Sequence, residues 1–340
     1  MYTERKIRLE DALPLLERCG LTRSNQAPQY TVGIYEEDGE ELLATGSLVG
    51  SMLQMLAVDP DRQGEDLLAK LVTHLLREAF QQGICQVYLF TRYEKQAFFQ
   101  GLGFSLVADA PGKAALLEWG QEGIQTYCRR LRAQVPPAEG STGALVMNCN
   151  PFTLGHRYLI EQAANLCDRV VVLAVEEDLS LFPFEVRLSL LRQGTADLPK
   201  VTVIPGGRYV ISSLTFPSYF TKAQELAEVQ ASLDAEVFRR HLVPALGIQY
   251  RFLGTEPLSP VTQLYNQVVT RTLEPAGVSV RLIPRLEVEG EPVSASRVRA
   301  LLGEGRMEAI RPLVPHCTWQ YLNSPDCSGI RRRLREGAEL

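Results

Sequence analysis

The sequence predicts a two-domain α/β protein, with a smaller mixed α/β domain first and a doubly wound parallel sheet second. Three observations carry this. The chain has 340 residues, more than one small domain uses and enough for two hydrophobic cores. In the second half, apolar runs at 144–147, 170–175, 201–204, 250–253 and 278–283 alternate with stretches of helical periodicity, the pattern of a parallel sheet with covering helices. Between the halves, Val135-Pro136-Pro137-Ala138-Glu139-Gly140-Ser141 has the composition of a linker. The expected divisions are therefore 1–132, a linker at 133–142, and 143–340.

Taken in order, the first domain reads as an amphipathic helix at 11–18 and strands at 30–36, 41–49 and 52–58. A helix at 65–80, a strand at 84–90 and a short helix at 94–100 follow. Gly101-Leu102-Gly103-Phe104 then leads to a last strand ending near Trp119.

In the second domain the first strand breaks at Asn148-Cys149-Asn150-Pro151, strong loop chemistry, and Tyr158, Leu159, Ala163 and Leu166 recur at helical spacing beyond it. Thr153-Leu154-Gly155-His156 is thus placed at a helix N-terminus. Unpaired backbone N–H groups and the positive end of the helix dipole attract anions there. Gly155 lets a phosphate approach the backbone, and the His156 imidazole can donate to an oxygen that gains charge when an α-phosphate is attacked. A second helix opens at Val293-Ser294-Ala295-Ser296-Arg297-Val298-Arg299, with Ser294 or Ser296 as N-cap. Two hydroxyls and Arg299 at one helix start make a second phosphate cradle. Ligands on such sheets bind at the carboxyl ends of strands, where His156, Glu256 and Ser294 are all expected.

Composition narrows the function classes. A net charge of −5 with acidic and basic residues interspersed gives no basic field for nucleic acid. The one basic cluster, Arg331-Arg332-Arg333-Leu334-Arg335, reads as a solvated tail helix. No window approaches the roughly twenty apolar residues of a membrane span, and Met1-Tyr2-Thr3-Glu4-Arg5-Lys6 does not lead into a signal-peptide core, so a cytoplasmic chain is expected. Seven cysteines without Cys-x-x-Cys pairing fit a reducing compartment, and Cys149 reads as a small hydrophobe at a strand end. No His, Cys or carboxylate set has metal-ligand spacing. His74 and His316 have no evident partners, and Arg187 reads as a solvated cation or half of a helical ion pair.

The Thr-x-Gly-His turn and the Ser-x-Ser-x-x-Arg helix start together resemble the signatures of the HxGH nucleotidyltransferase superfamily, whose domain is Rossmann-like. That resemblance implies adenine or ribose binding at Gly254, Thr255 and Glu256. In the first domain, Leu56-Ala57-Val58-Asp59-Pro60 and Phe99-Gln100-Gly101-Leu102-Gly103-Phe104 resemble the acetyltransferase fold of the GNAT type. That family's pyrophosphate loop has glycines where Gln63-Gly64-Glu65-Asp66-Leu67-Leu68 carries Asp66 and Leu68. Adjacent carboxylates would repel a pyrophosphate, so no acetyltransferase activity is expected from this domain.

The whole chain, from Asn148-Cys149-Asn150-Pro151-Phe152-Thr153-Leu154-Gly155-His156 to Ser294-Ala295-Ser296-Arg297-Val298-Arg299 behind an eroded acetyltransferase-like domain, resembles the citrate lyase ligase family. The resemblance implies an acid–thiol ligase that uses acetate and ATP with Mg²⁺, acetylates the dephospho-coenzyme A-type arm of the citrate lyase acyl carrier subunit, and releases AMP and diphosphate. It implies Thr153, His156 and Arg299 as catalytic, with Asn148, Asn150, Phe152, Gly155, Gly254, Thr255, Glu256, Ser294 and Ser296 around the nucleotide. A cofactor-pathway adenylyltransferase and a carrier- or coenzyme A-binding module are the alternatives.

Overall fold

The computed structural model describes residues 2–24, 26–37, 39–64, 66–137, 139–176, 180–210, 223–255 and 259–337. The described residues of 1–127 and 213–236 form one compact unit, and those of 128–212 and 237–340 a second.

The first unit is built on strands β1 (Tyr2–Lys6), β2 (Tyr30–Glu36), β3 (Leu42–Val49), β4 (Met52–Val58), β5 (Gln86–Arg92), β6 (Ser105–Ala110) and β7 (Ala114–Gly120), ordered β1-β2-β3-β4-β5-β7-β6. Successive strand residues face opposite sides. Leu48 and Leu53 therefore enter the core under helix α2 (Leu67–Gln81), while Val49 and Met55 join Leu9, Leu15 and Leu16 of helix α1 (Leu9–Arg18) on the other face. Neighbouring strands are antiparallel except β4 and β5, which run parallel and pair only at Met52–Tyr88 and Leu53–Leu89. Beyond those pairs lies a cleft of about 530 Å³ lined by Leu56, Leu67, Phe90 and Phe98 among others. This is the smaller mixed α/β domain that the sequence led us to expect. Asp66 is the N-cap of α2, in the left-handed region at φ 55°, with no side-chain hydrogen bond to the helix.

Three features of this unit were not legible. Strand β1 reads Tyr-Thr-Glu-Arg-Lys, an edge strand with no apolar alternation to announce it. The single last strand expected before Trp119 is a hairpin, β6 and β7, turning at Pro111-Gly112. His74 is partnered on both ring nitrogens, by Tyr30 Oη at 2.9 Å and by Glu4 Oε2 at 2.6 Å. Helices α3 (Gln96–Gly101) and α4 (Ile124–Gln134) complete the N-terminal stretch, with α4 continuing into the residues expected as linker.

The second unit holds five parallel strands: β8 (Thr142–Met147), β9 (Arg169–Ala174), β10 (Val201–Pro205), β11 (Tyr250–Gly254) and β12 (Ser279–Ile283), ordered β10-β9-β8-β11-β12. Helix α5 (Leu154–Leu166) follows β8 and α6 (Phe184–Gln193) follows β9. Helix α7 (Ala223–Val237) falls in the first unit up to residue 236; the short α8 (Val243–Leu246) precedes β11, and α9 (Pro260–Leu273) lies between β11 and β12. Chain order reverses between β8 and β11, and the switch point of a doubly wound sheet opens a crevice at its carboxyl edge. Past β12, a two-residue hairpin, β13 (Glu287–Val288) and β14 (Glu291–Pro292), turns through Glu289 and Gly290 at φ 58° and 75°. It feeds α10 (Ala295–Gly303), which packs with α11 (Met307–Ile310), α12 (His316–Asn323) and α13 (Ser328–Arg335) around Val298, Leu302, Ile310, Leu322 and Ile330.

Candidate active site

The Thr-x-Gly-His turn forms a capping box in which a histidine takes the place usually held by a glutamate. Thr153 is the N-cap of α5, only 1% exposed, and its Oγ1 accepts from the His156 backbone N–H at 3.4 Å. In return the Thr153 backbone N–H donates to His156 Nδ1 at 3.1 Å, with Thr153 Oγ1 2.9 Å from the same nitrogen. Because Nδ1 accepts from a backbone N–H, the neutral imidazole carries its proton on Nε2, which is thereby kept as a donor. Burial, with a smaller contribution from the positive charge of Arg285, lowers the His156 pKa to about 4. The imidazole is therefore neutral at pH 7. Phe152, fully buried, lies beneath it, with ring centroids 6.0 Å apart and planes at 16°.

The second motif meets the first directly. Ser294 caps α10, its Oγ accepting from Arg297 N–H at 3.1 Å. Arg299 Nη1 donates to the Asn150 carbonyl at 2.6 Å, and Nη2 to Ser296 Oγ at 3.3 Å. A Cβ added at Gly155 would lie 2.8 Å from the Val293 carbonyl oxygen. That contact with backbone gives a packing reason for glycine at this position. Burial lowers the pKa of the Arg299 guanidinium, and its Nε is buried without an acceptor, as is Nη1 of Arg297. A cation short of solvent, with donors lacking acceptors, fits an anionic ligand such as a polyphosphate.

Several of the expected site residues are engaged within the protein. Asn148 Oδ1 accepts from Arg187 at 2.8 Å and its Nδ2 donates to Ser180 at 3.0 Å, while Asn150 Oδ1 accepts from the Phe182 N–H at 3.0 Å. These amides brace the loop around 180–182, and Phe152 supports the imidazole from below. Cys149 is buried, its thiol pKa raised by that burial, which suits a core residue and not a nucleophile. Gly254 ends β11 beside the switch point and Thr255 follows it, its N–H donating to the Ile283 carbonyl at 2.9 Å. Glu256 lies outside the described residues.

The sequence reading misplaced one arginine and passed over another. Arg187, expected at the surface, is 1% exposed. It donates to the carbonyls of Val175 at 2.7 Å, Asn148 at 2.9 Å and Phe182 at 2.9 Å, pinning the ends of the β8 and β9 segments. Arg285 stands just past β12 and donates through Nε to the Thr255 carbonyl at 3.0 Å. Its position after a parallel strand was the available signal.

Fold and site together define a nucleotidyltransferase-type α/β domain that follows a smaller mixed α/β unit in the chain. The family profile described as citrate lyase ligase C-terminal domain matches residues 142–322. A citrate (pro-3S)-lyase ligase of Klebsiella pneumoniae is 42% identical over 296 residues, covering 86% of this chain and 86% of that relative. The chain belongs to the citrate lyase ligase family. It is also similar to a phosphopantetheine adenylyltransferase of Methylococcus capsulatus, 28% identical over 133 residues, which are 35% of this chain and 81% of the relative. Among solved structures, the ribosomal-protein-S18-alanine N-acetyltransferase of Escherichia coli is similar at 21% identity and a TM-score of 0.29, covering 36% of this chain and 97% of that one. No helix among the described residues is long and apolar enough to cross a membrane.

Proposed function

We propose that the chain activates acetate with ATP as acetyl-AMP and transfers the acetyl group to the prosthetic-group thiol of the citrate lyase acyl carrier subunit, releasing AMP and diphosphate. The similarity to a citrate (pro-3S)-lyase ligase over 86% of both chains carries this reading. Acetate is already ionised at pH 7, so its attack on the α-phosphate needs position and charge stabilisation but no general base. His156 Nε2–H would donate to an α-phosphate oxygen. Thr153, whose hydroxyl is turned to the imidazole, would fix the tautomer and stay off the phosphate. Arg299, with Ser294, Ser296 and the N-terminus of α10, would hold the departing diphosphate.

Among the described residues no group of three or more His, Cys, Asp or Glu could hold a metal ion. Mg²⁺ entering with ATP would be held mainly by the phosphates and water, which asks for one or two carboxylates at most. The acetyltransferase-type unit is assigned no acetyl transfer, because Asp66 occupies the left-handed N-cap of α2 where a pyrophosphate would need glycine and open N–H groups. Incubating the chain with ATP, acetate and the free-thiol carrier subunit tests the proposal. It predicts acetylated carrier and AMP in equal amounts; unmodified carrier, or ADP as the nucleotide product, contradicts it.

A further inference from the structure

We propose that Arg285 binds the carboxylate of the acid that is adenylated, an inference that rests on the acid–thiol ligase reading and names the residue that selects the acid. The problem this site must solve is bringing two anions together. Acetate attacks Pα through a carboxylate oxygen; the new O–P bond forms as the bond from Pα to the bridging oxygen breaks, and diphosphate leaves with that electron pair. No proton moves. A cation is needed for the incoming carboxylate besides those that hold the polyphosphate.

His156 cannot supply it. Its Nδ1 is occupied by the Thr153 N–H and its imidazole is neutral, so it offers one N–H donor and no charge. Arg299 is anchored at the end of β8, through the Asn150 carbonyl, and shares its helix start with the two serines of the phosphate cradle. Arg285 is anchored to a different strand end, β11, through the Thr255 carbonyl.

A chain of backbone contacts joins Arg285 to the reacting turn. The Val293 N–H donates to the carbonyl of Leu286, the residue after Arg285, at 2.8 Å, and the Val293 carbonyl lies against Gly155. Arg285 is therefore one residue from a rung that touches the Thr-x-Gly-His turn. Its charge is felt by the imidazole, and burial lowers its own pKa, as for a cation placed where an anion is to be desolvated. A planar guanidinium oriented at Nε matches the geometry of a carboxylate, which an ammonium does not.

Exchange of labelled pyrophosphate into ATP, measured with the full chain and its Arg285→Gln and Arg285→Lys variants, tests this. We expect the KM for acetate to rise at least about tenfold in both variants while the KM for ATP stays within about twofold. An NMR titration should show the His156 imidazole rising above about 4 in Arg285→Gln, where the charge is gone, and changing less in Arg285→Lys. If Arg285→Gln does not fold, Arg285→Lys carries the kinetic test, since it keeps the charge and loses the planar fork. A raised KM for ATP with acetate unaffected would make Arg285 a nucleotide contact and overturn the inference, and so would unchanged constants for both. Absence of acetate-dependent exchange in the wild-type chain would instead overturn the parent reading and this inference with it.

Discussion

Arg299 Nη1 and the Asn150 carbonyl oxygen stand 2.6 Å apart although 149 positions separate them in the chain. This bond joins the start of α10 to the loop after β8, so the two motifs proposed to hold the polyphosphate, remote in sequence, are brought together. Arg299→Ala is expected to lower the pyrophosphate exchange rate about a hundredfold or more. Arg299→Lys should recover little, because an ammonium cannot reach Asn150, Ser296 and a phosphate together. Comparable exchange in Arg299→Ala and wild type would remove the arginine from the proposed polyphosphate site.

The pH behaviour of His156 gives a second prediction. Its folded pKa, about 4, lies below the ordinary 6.5, so the unfolded chain binds more protons between those values. The stability contributed is complete above pH 6.5 and is lost as pH falls toward 4. Discounted for the residual exposure of the side chain, the loss is on the order of 2 kcal/mol. Urea melts at pH 4.5 and pH 7 should show His156→Asn losing less stability on acidification than wild type by about that amount. Equal losses would mean that the imidazole titrates normally.

At Gly155 the test is steric. The added methyl of Gly155→Ala would meet the Val293 carbonyl at 2.8 Å, a backbone atom that cannot rotate away. Separating the motifs should cost about 1–3 kcal/mol and raise the KM for ATP. Both effects are read from a thermal melt and an ATP titration, and a neutral variant would show that the turn has room to spare.

Arg187→Met addresses the scaffold beneath the site. Removing the guanidinium leaves the carbonyls of Asn148, Val175 and Phe182 without this donor in the interior. Destabilisation of about 3–5 kcal/mol follows from stranding buried polar groups. A loss below about 1 kcal/mol in denaturant melts would mean that water replaces the arginine at those carbonyls.

The second sheet was legible because its central strands β8 and β9 are apolar runs bounded by turn residues, as buried parallel strands require, while the edge strand β12, Ser279-Val280-Arg281-Leu282-Ile283, is partly exposed. That the Thr153–His156 and Ser294–Arg299 segments open helices was legible from their spacing. What stayed hidden depended on distant partners. The Thr153 hydroxyl lies beside His156 Nδ1 and Phe152 is fully buried, two placements that helix-start spacing does not announce. Arg187 and Arg285 carry no local signature, because carbonyls from other strand ends define their positions.

Acetate-dependent exchange of labelled pyrophosphate into ATP, compared between the wild-type chain and His156→Ala, tests the central claim most directly. The account predicts exchange that requires acetate, needs no carrier, and falls about a hundredfold or more in the variant while the fold is retained. Exchange that ignores acetate and responds to nicotinamide mononucleotide or phosphopantetheine, or a His156→Ala chain as active as wild type, would contradict it.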